Sequence, residues 1–155
     1  MSWDFSTEPE FEAKLDWARR FVRDEIYPLE VLDLDHATFR TIAAPLQQQV
    51  KDHGLWAAHL GPDLGGQGYG QLRLGLLHEI LGTSELAPYV FGCQAPDSGN
   101  AELLAIAGTE QQRERWMHPL LRGEVLSAFS MTEQGTGSDP GSSPRRPTST
   151  VTTGC

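Results

Sequence analysis

The run Phe129-Ser-Met-Thr-Glu-Gln-Gly-Thr-Gly-Ser-Asp139 gathers the groups in this chain best suited to holding a ligand. Val125, Ser127, Phe129 and Met131 alternate with Leu126, Ala128 and Ser130 on the way into it, a period that predicts a strand. A strand ending among small residues leaves backbone N–H groups free to point at a ligand, and Thr132 and Ser138 add hydroxyl donors. Such donors can hold a pyrophosphate without any large charge. Glycine spacing taken alone favours the plainer reading, an ordinary turn after a strand.

The other chemically able residues offer less. Glu79 is a lone acid in an apolar stretch and reads as a helix-surface or paired carboxylate. Asp97, in Ala95-Pro-Asp-Ser-Gly-Asn100, suits a helix cap or a turn. His36, His53, His59, His78 and His118 show no HExxH or paired ligand spacing, so no metal site is expected. Cys93 has no neighbouring cysteine and reads as a small packing residue; with Cys155 it fits a reducing compartment better than a disulfide scaffold. Arg113 and Arg115 read as a solvated face. A formal net charge of −9 argues against nucleic-acid binding and against adhesion to an anionic membrane. No run approaches the ~20 apolar residues of a membrane helix, and the N-terminus lacks the order of a signal peptide. The expected location is the cytosol.

The elements that would position these groups are helices. Thr7-Glu-Pro-Glu10 opens one, with Thr7 as cap and Glu10 completing a capping box. Its buried stripe is Phe11, Leu15, Ala18, Val22 and Ile26, and Pro28 ends it. A second helix is expected from Pro45 to His53, stopped by Gly54. Gly61 to Gly70 is a glycine-rich loop. Leu72 to Leu81 is apolar on nearly every side and predicts a helix buried in a bundle. A shorter helix is expected from Asn100 to Ala107. Thr109 and Gln112 form a capping box for another, with Trp116 and Leu120 on one face and Pro119 ending or kinking it.

Four blocks, in order, resemble the acyl-CoA dehydrogenase family. Gly54-Leu-Trp with Pro62-Asp-Leu-Gly-Gly-Gln-Gly is similar to the family's GLW…PEELGGLG. Leu76-Leu-His-Glu-Ile-Leu-Gly resembles the helix after it. Gly108-Thr-Glu-Gln-Gln-Arg-Glu-Arg-Trp116 resembles GTEEQKKRW, and Ser127 to Pro140 resembles SAFAMTEPxxGSDP. Ala95 to Asn100 is similar to the branch carrying APDTGN. The likeness runs from about Phe5 to Pro140, and it implies a mainly α fold: the family's N-terminal helical bundle (1–123) followed by the first strand of an incomplete β-domain (124–140). It implies an FAD flavoprotein of fatty acid metabolism that forms an α,β double bond in an acyl-CoA thioester and passes electrons to an acceptor, as a homodimer or homotetramer. Phe129, Met131 and Thr132 would lie at the flavin ring, Ser130, Gly137 and Ser138 would help hold the cofactor, and Ser138 and Asp97 would lie near the acyl-CoA. Gln134 stands where the family nearly always has proline, and without that ring to pre-set the turn a looser loop is expected. The family's catalytic base lies downstream of residue 155, so none is assigned.

Residues 141–155 depart from the family and are rich in Ser, Thr, Pro and Arg, as in a disordered terminus. Codons can be chosen for them such that one added G spells Gly-Leu-Phe-Thr-Thr-Thr-Ala-Asp-Gln-Tyr-Gly-Asp-Asp-Trp-Val, a continuation like the family's. The expectation is a one-base deletion near codon 141 and a truncated, inactive fragment. The alternative is a non-enzymatic helical interaction module.

Overall fold

The computed structural model describes residues 6–64, 66–130, 137–139 and 141. Every regular element among them is helical, as the mainly α expectation requires. The calls on Met131, Thr132 and Gln134, and all but the first residue of the 141–155 tail, lie outside the described residues.

Helix α1 spans Pro9–Phe21. Its cap is Glu8 rather than Thr7. The Thr7 hydroxyl donates to the Glu8 carboxylate at 2.9 Å, so it caps no backbone N–H. That carboxylate also meets Arg73 at 2.7 Å, and the guanidinium holds its pKa down at about 2. Glu10 and Glu12 in the first turn, with Arg19 and Arg20 in the last, suit the helix dipole. The predicted stripe of Phe11, Leu15, Ala18, Val22 and Ile26 is buried throughout.

Pro28 does not end this helix. A π turn, Val22–Ile26, carries the chain into a short helix α2, Tyr27–Glu30. The Tyr27 N–H donates to the Val22 carbonyl, five residues back. A proline ring collides with the carbonyl four residues before it, and the wider turn relieves that collision. The same arrangement recurs later in the chain. A π turn, Arg113–Met117, precedes helix α8, His118–Leu121; the His118 N–H donates to Arg113, and Pro119 follows.

Helix α3 spans His36–Asp52 and begins well before Pro45, where the sequence placed its start. The Asp35 carboxylate accepts from the Ala37 and Thr38 N–H groups, both at 3.0 Å. That cap initiates the helix, and Pro45 is carried in its interior. Helix α4, Gly70–Leu81, is one-sided rather than buried all round. Leu77, Ile80 and Leu81 are buried against the core, whereas Leu72 is 55% exposed. Its main packing partner among the described elements is α1, which covers one face only.

Helix α5 (Ala87–Val90) leads to α6 (Asp97–Ala107), which begins earlier than the Asn100 expected. The Thr109–Gln112 capping box forms as expected and opens α7 (Glu110–Gln112). Trp116 and Leu120 do not share a face: the π turn slips the phase, leaving Trp116 half exposed while Met117 and Leu120 are buried. Residues 125–130 form no strand, because a ladder needs a second strand and none lies among the described residues.

The main core joins α1, α3, α4 and α5 around Leu15, Ile26, Val50, Leu77 and Phe91. Trp17 stacks on Phe21 at 4.6 Å and on His53 at 3.8 Å between ring centroids. A smaller cluster of Leu60, Ala101 and Leu120 ties α6 to α8.

Candidate functional site

Trp56 anchors the segment that leaves the bundle. Its indole Nε1 donates to the Leu121 carbonyl at 2.6 Å. Lys51 reaches over the indole, 4.4 Å from its centroid, and donates to the Arg122 carbonyl at 3.0 Å. The ring also lies against Gly92, where a Cβ would stand 2.7 Å from it and φ is +65°. Only glycine suits that backbone and that clearance. Gly123, at φ +77°, then turns the chain out of α8 toward residues 124–130. The glycine-rich loop serves the same scaffold. A Cβ at Gly66 would stand 2.1 Å from the Leu60 carbonyl, so its close approach is to the chain's own backbone.

The exit segment is held by the first turn of α6. One carboxylate oxygen of Asp97 accepts from the Ser127 N–H at 2.7 Å and from its hydroxyl at 2.6 Å. The other accepts from the Gln94 amide at 2.9 Å. Asn100 donates to the Ser127 oxygen at 2.9 Å, which fixes the direction of that hydroxyl. A methyl group at Gly99 would lie 4.0 Å from Cζ of Phe129, so the bare helix turn runs beside the phenyl ring. Phe129 is nevertheless 61% exposed.

The predicted site residues fall as follows. Asp97 holds Ser127 at the start of α6, and Phe129 lies beside Gly99 of the same turn. Ser130, Gly137 and Ser138 are exposed, and nothing among the described residues stands within 4 Å of a Cβ built on Gly137. Glu79 lies on the outer face of α4, in a groove with Arg19, Arg23, Tyr27 and Thr83, away from α6. Cys93 packs against the core, and burial pushes its thiol up to about 12. Arg113 is not simply a solvated residue. Its Nε is buried with no hydrogen-bond partner among the described residues, while Arg115 lies 4.7 Å from the Trp116 ring centroid.

One site residue was not legible in the sequence. His59 borders a cavity of about 30 Å³ together with Gln47, Gln94, Asp97 and Ser98. That volume suits a water molecule and is far too small for an acyl chain. Both ring nitrogens of His59 are buried. Burial lowers its pKa, against the opposing pull of Glu102. The Ser98 backbone also acts to raise it, though neither ring nitrogen makes a hydrogen bond of good geometry. No spacing signal marks this histidine.

Comparison with known proteins gives this arrangement a setting. The acyl-CoA dehydrogenase N-terminal domain matches residues 8–124. The Mycobacterium tuberculosis protein named "Probable acyl-CoA dehydrogenase FadE2" is 40% identical over 136 residues, covering 87% of this chain and 31% of that protein. Acyl-CoA dehydrogenase family member 11 of Rattus norvegicus is 44% identical over 93 residues, covering 60% of this chain and 12% of that one. A solved structure from Mycobacterium abscessus, described as a "putative acyl-CoA dehydrogenase", superposes with a TM-score of 0.71 at 31% identity, over 86% of this chain and 36% of that one. The chain therefore spans about a third or less of the length of these relatives. With the N-terminal domain matched over most of its length, this chain belongs to the acyl-CoA dehydrogenase family.

Proposed function

We propose that this chain is the N-terminal helical part of an FAD-dependent enzyme that forms an α,β double bond in an acyl-CoA thioester. The observation that carries the reading is Phe129, an exposed aromatic ring on a segment hydrogen-bonded to α6. Such a ring offers a flat apolar face to a planar cofactor. The exposed Gly137 and Ser138 offer open backbone and a hydroxyl, so the residues present fit FAD. When bound, FAD supplies the hydride acceptor.

The chain's own residues bind and orient. Phe129, Met131 and Thr132 would form the wall at the flavin ring in this reading, and Ser130, Gly137 and Ser138 would hold the cofactor. Ser138 also borders the acyl-CoA. The bundle of α1, α3, α4 and α6 supports that wall through Trp56 and Asp97. The considered acids do not serve as the base: both oxygens of Asp97 are engaged, and Glu79 lies on the outer face of α4. The 155-residue chain alone is expected to bind FAD weakly or not at all and to turn nothing over. Homo-oligomerisation, a separate electron acceptor and a cytoplasmic location belong to the same proposal. No described helix is long and apolar enough to cross a membrane.

Two measurements test the reading. The nucleotide sequence past codon 141 should restore a frame encoding the rest of a flavoenzyme, and no such continuation overturns it. Acyl-CoA turnover by the purified chain with an artificial electron acceptor would refute the assignment of the base elsewhere. The exposed Leu72, Leu103, Ile106 and Trp116 favour a second reading, a helical interaction module. A colourless, well-folded oligomer, with no flavoenzyme frame past codon 141, is its signature.

A further inference from the structure

We infer that the first turn of α6 is a cradle for the exit segment, with Asp97 and Asn100 as positioning residues that fix Ser127 and, through it, Phe129. The resemblance to known relatives places Asp97 near the substrate. The geometry gives it a different task. One carboxylate oxygen receives both hydrogens that Ser127 can donate, from its backbone and its hydroxyl. Asn100 fills the acceptor side of the same hydroxyl. Gln94 takes the second carboxylate oxygen, which fixes the rotation of the carboxylate.

These contacts cross 27 to 30 residues of sequence and define the position of a single residue. Phe129 lies two residues further on, and its ring runs beside Gly99 of the same turn. Asp97, Gly99 and Asn100 thus act as a unit: Asp97 holds the Ser127 backbone and hydroxyl, Asn100 holds the hydroxyl, and the helix turn at Gly99 lies beside the ring. A segment without a ladder needs such external ties to keep one conformation. The consequence for a bound flavin rests on the functional reading above; the cradle itself does not.

The test uses the 155-residue chain and hydrogen exchange resolved to residues 124–130. Asp97→Ala should speed exchange at Ser127 and its neighbours by about tenfold or more, the scale of a lost charge-assisted bond. Protection in α1 and α3 should stay unchanged. Asp97→Asn keeps an acceptor oxygen for Ser127 and should restore most of the protection, which a loss of general stability would not do. Ser127→Ala removes the hydroxyl contacts while keeping the backbone, and its effect should be less than additive with Asp97→Ala. Unchanged exchange in Asp97→Ala, or full additivity of the pair, overturns the cradle. Loss and rescue of protection in a chain that takes up no FAD, as is expected of the 155-residue chain, keeps the cradle; the flavin reading fails separately, on the nucleotide sequence past codon 141.

Discussion

Replacing Trp56 by Phe should destabilise the fold by about 2–3 kcal/mol. Two losses add up to that figure. The Leu121 carbonyl, half-buried, loses the indole donor that stands 2.6 Å away, at a cost of about 1–2 kcal/mol. The smaller ring also withdraws from Gly92, whose backbone touches the indole so closely that a Cβ there would stand 2.7 Å from it. The gap adds about 1 kcal/mol. For a chain of this size the sum corresponds to a fall in melting temperature of about 4–12 °C, read by far-UV circular dichroism. Trp116→Phe is the control, because Trp116 is half exposed and donates no such bond, and it should stay within about 0.5 kcal/mol of wild type. Gly92→Ala tests the same contact from the other side. It should be very harmful beside Trp56 and less so in the Trp56→Phe chain, since the clash partner has shrunk. If Trp56→Phe unfolds no earlier than Trp116→Phe, the anchoring role is wrong.

Further expectations concern pH, a loop tie and a thiol. His59 has a lowered pKa in the folded state, so the unfolded chain binds the extra proton first as pH falls. Its contribution is complete above the ordinary histidine value of about 6.5 and declines below it. Urea unfolding between about pH 7 and 5 should therefore show a falling stability that His59→Gln makes shallower; the remainder comes partly from His78, which burial shifts the same way. Glu30 accepts from the Ser84 hydroxyl and from the Glu85 N–H at 2.8 Å, tying the end of α2 to the turn before α5. Glu30→Ala should cost about 1–2 kcal/mol in thermal unfolding and Glu30→Gln clearly less, because the amide oxygen still accepts; equal losses would contradict the tie. In a Cys155→Ser chain, the Cys93 thiol should react with a disulfide reagent at mildly alkaline pH at least about a hundredfold more slowly when folded than in denaturant, because burial holds it up at about 12.

The sequence made the bundle readable wherever one local rule acted alone. The α1 stripe is a plain 3.6-residue period, and the Thr109–Gln112 box is a two-residue signature, so both could be named from residue types. It misled wherever a tertiary or backbone adjustment overrode the local rule. Pro28 reads as a stop and Pro45 as a start, yet a π turn absorbs the first and the Asp35-capped helix carries the second in its interior. Leu72 is apolar by type, but burial depends on what covers α4, which the period cannot report. The strand pattern at 125–130 is similar: alternation supplies one half of a ladder, and pairing needs another segment. At the site, Asp97 and Ser127 stand 30 residues apart. Nothing in their types announces the bond, which exists because Trp56 and Gly123 deliver the exit segment to the start of α6. The burial of His59 likewise follows from how α6 and α8 close over it.

The two π turns also say how such a chain tolerates change in length. Each amounts to one surplus residue lodged in a helix, with the regular spiral resuming beyond it. Every residue in an α-helix turns the next by about 100°, so the surplus places the stretches before and after it out of step, like a screw thread cut in two starts. Removing one residue between Arg113 and Met117 would let the thread run true. Glu110–Gln112, exposed throughout, would then swing by about 100° around the axis of α8 and point its side chains in a new direction. The proline two residues beyond each surplus is what makes the mismatch worth keeping, so a helix repaired at either place would need its proline replaced in the same step.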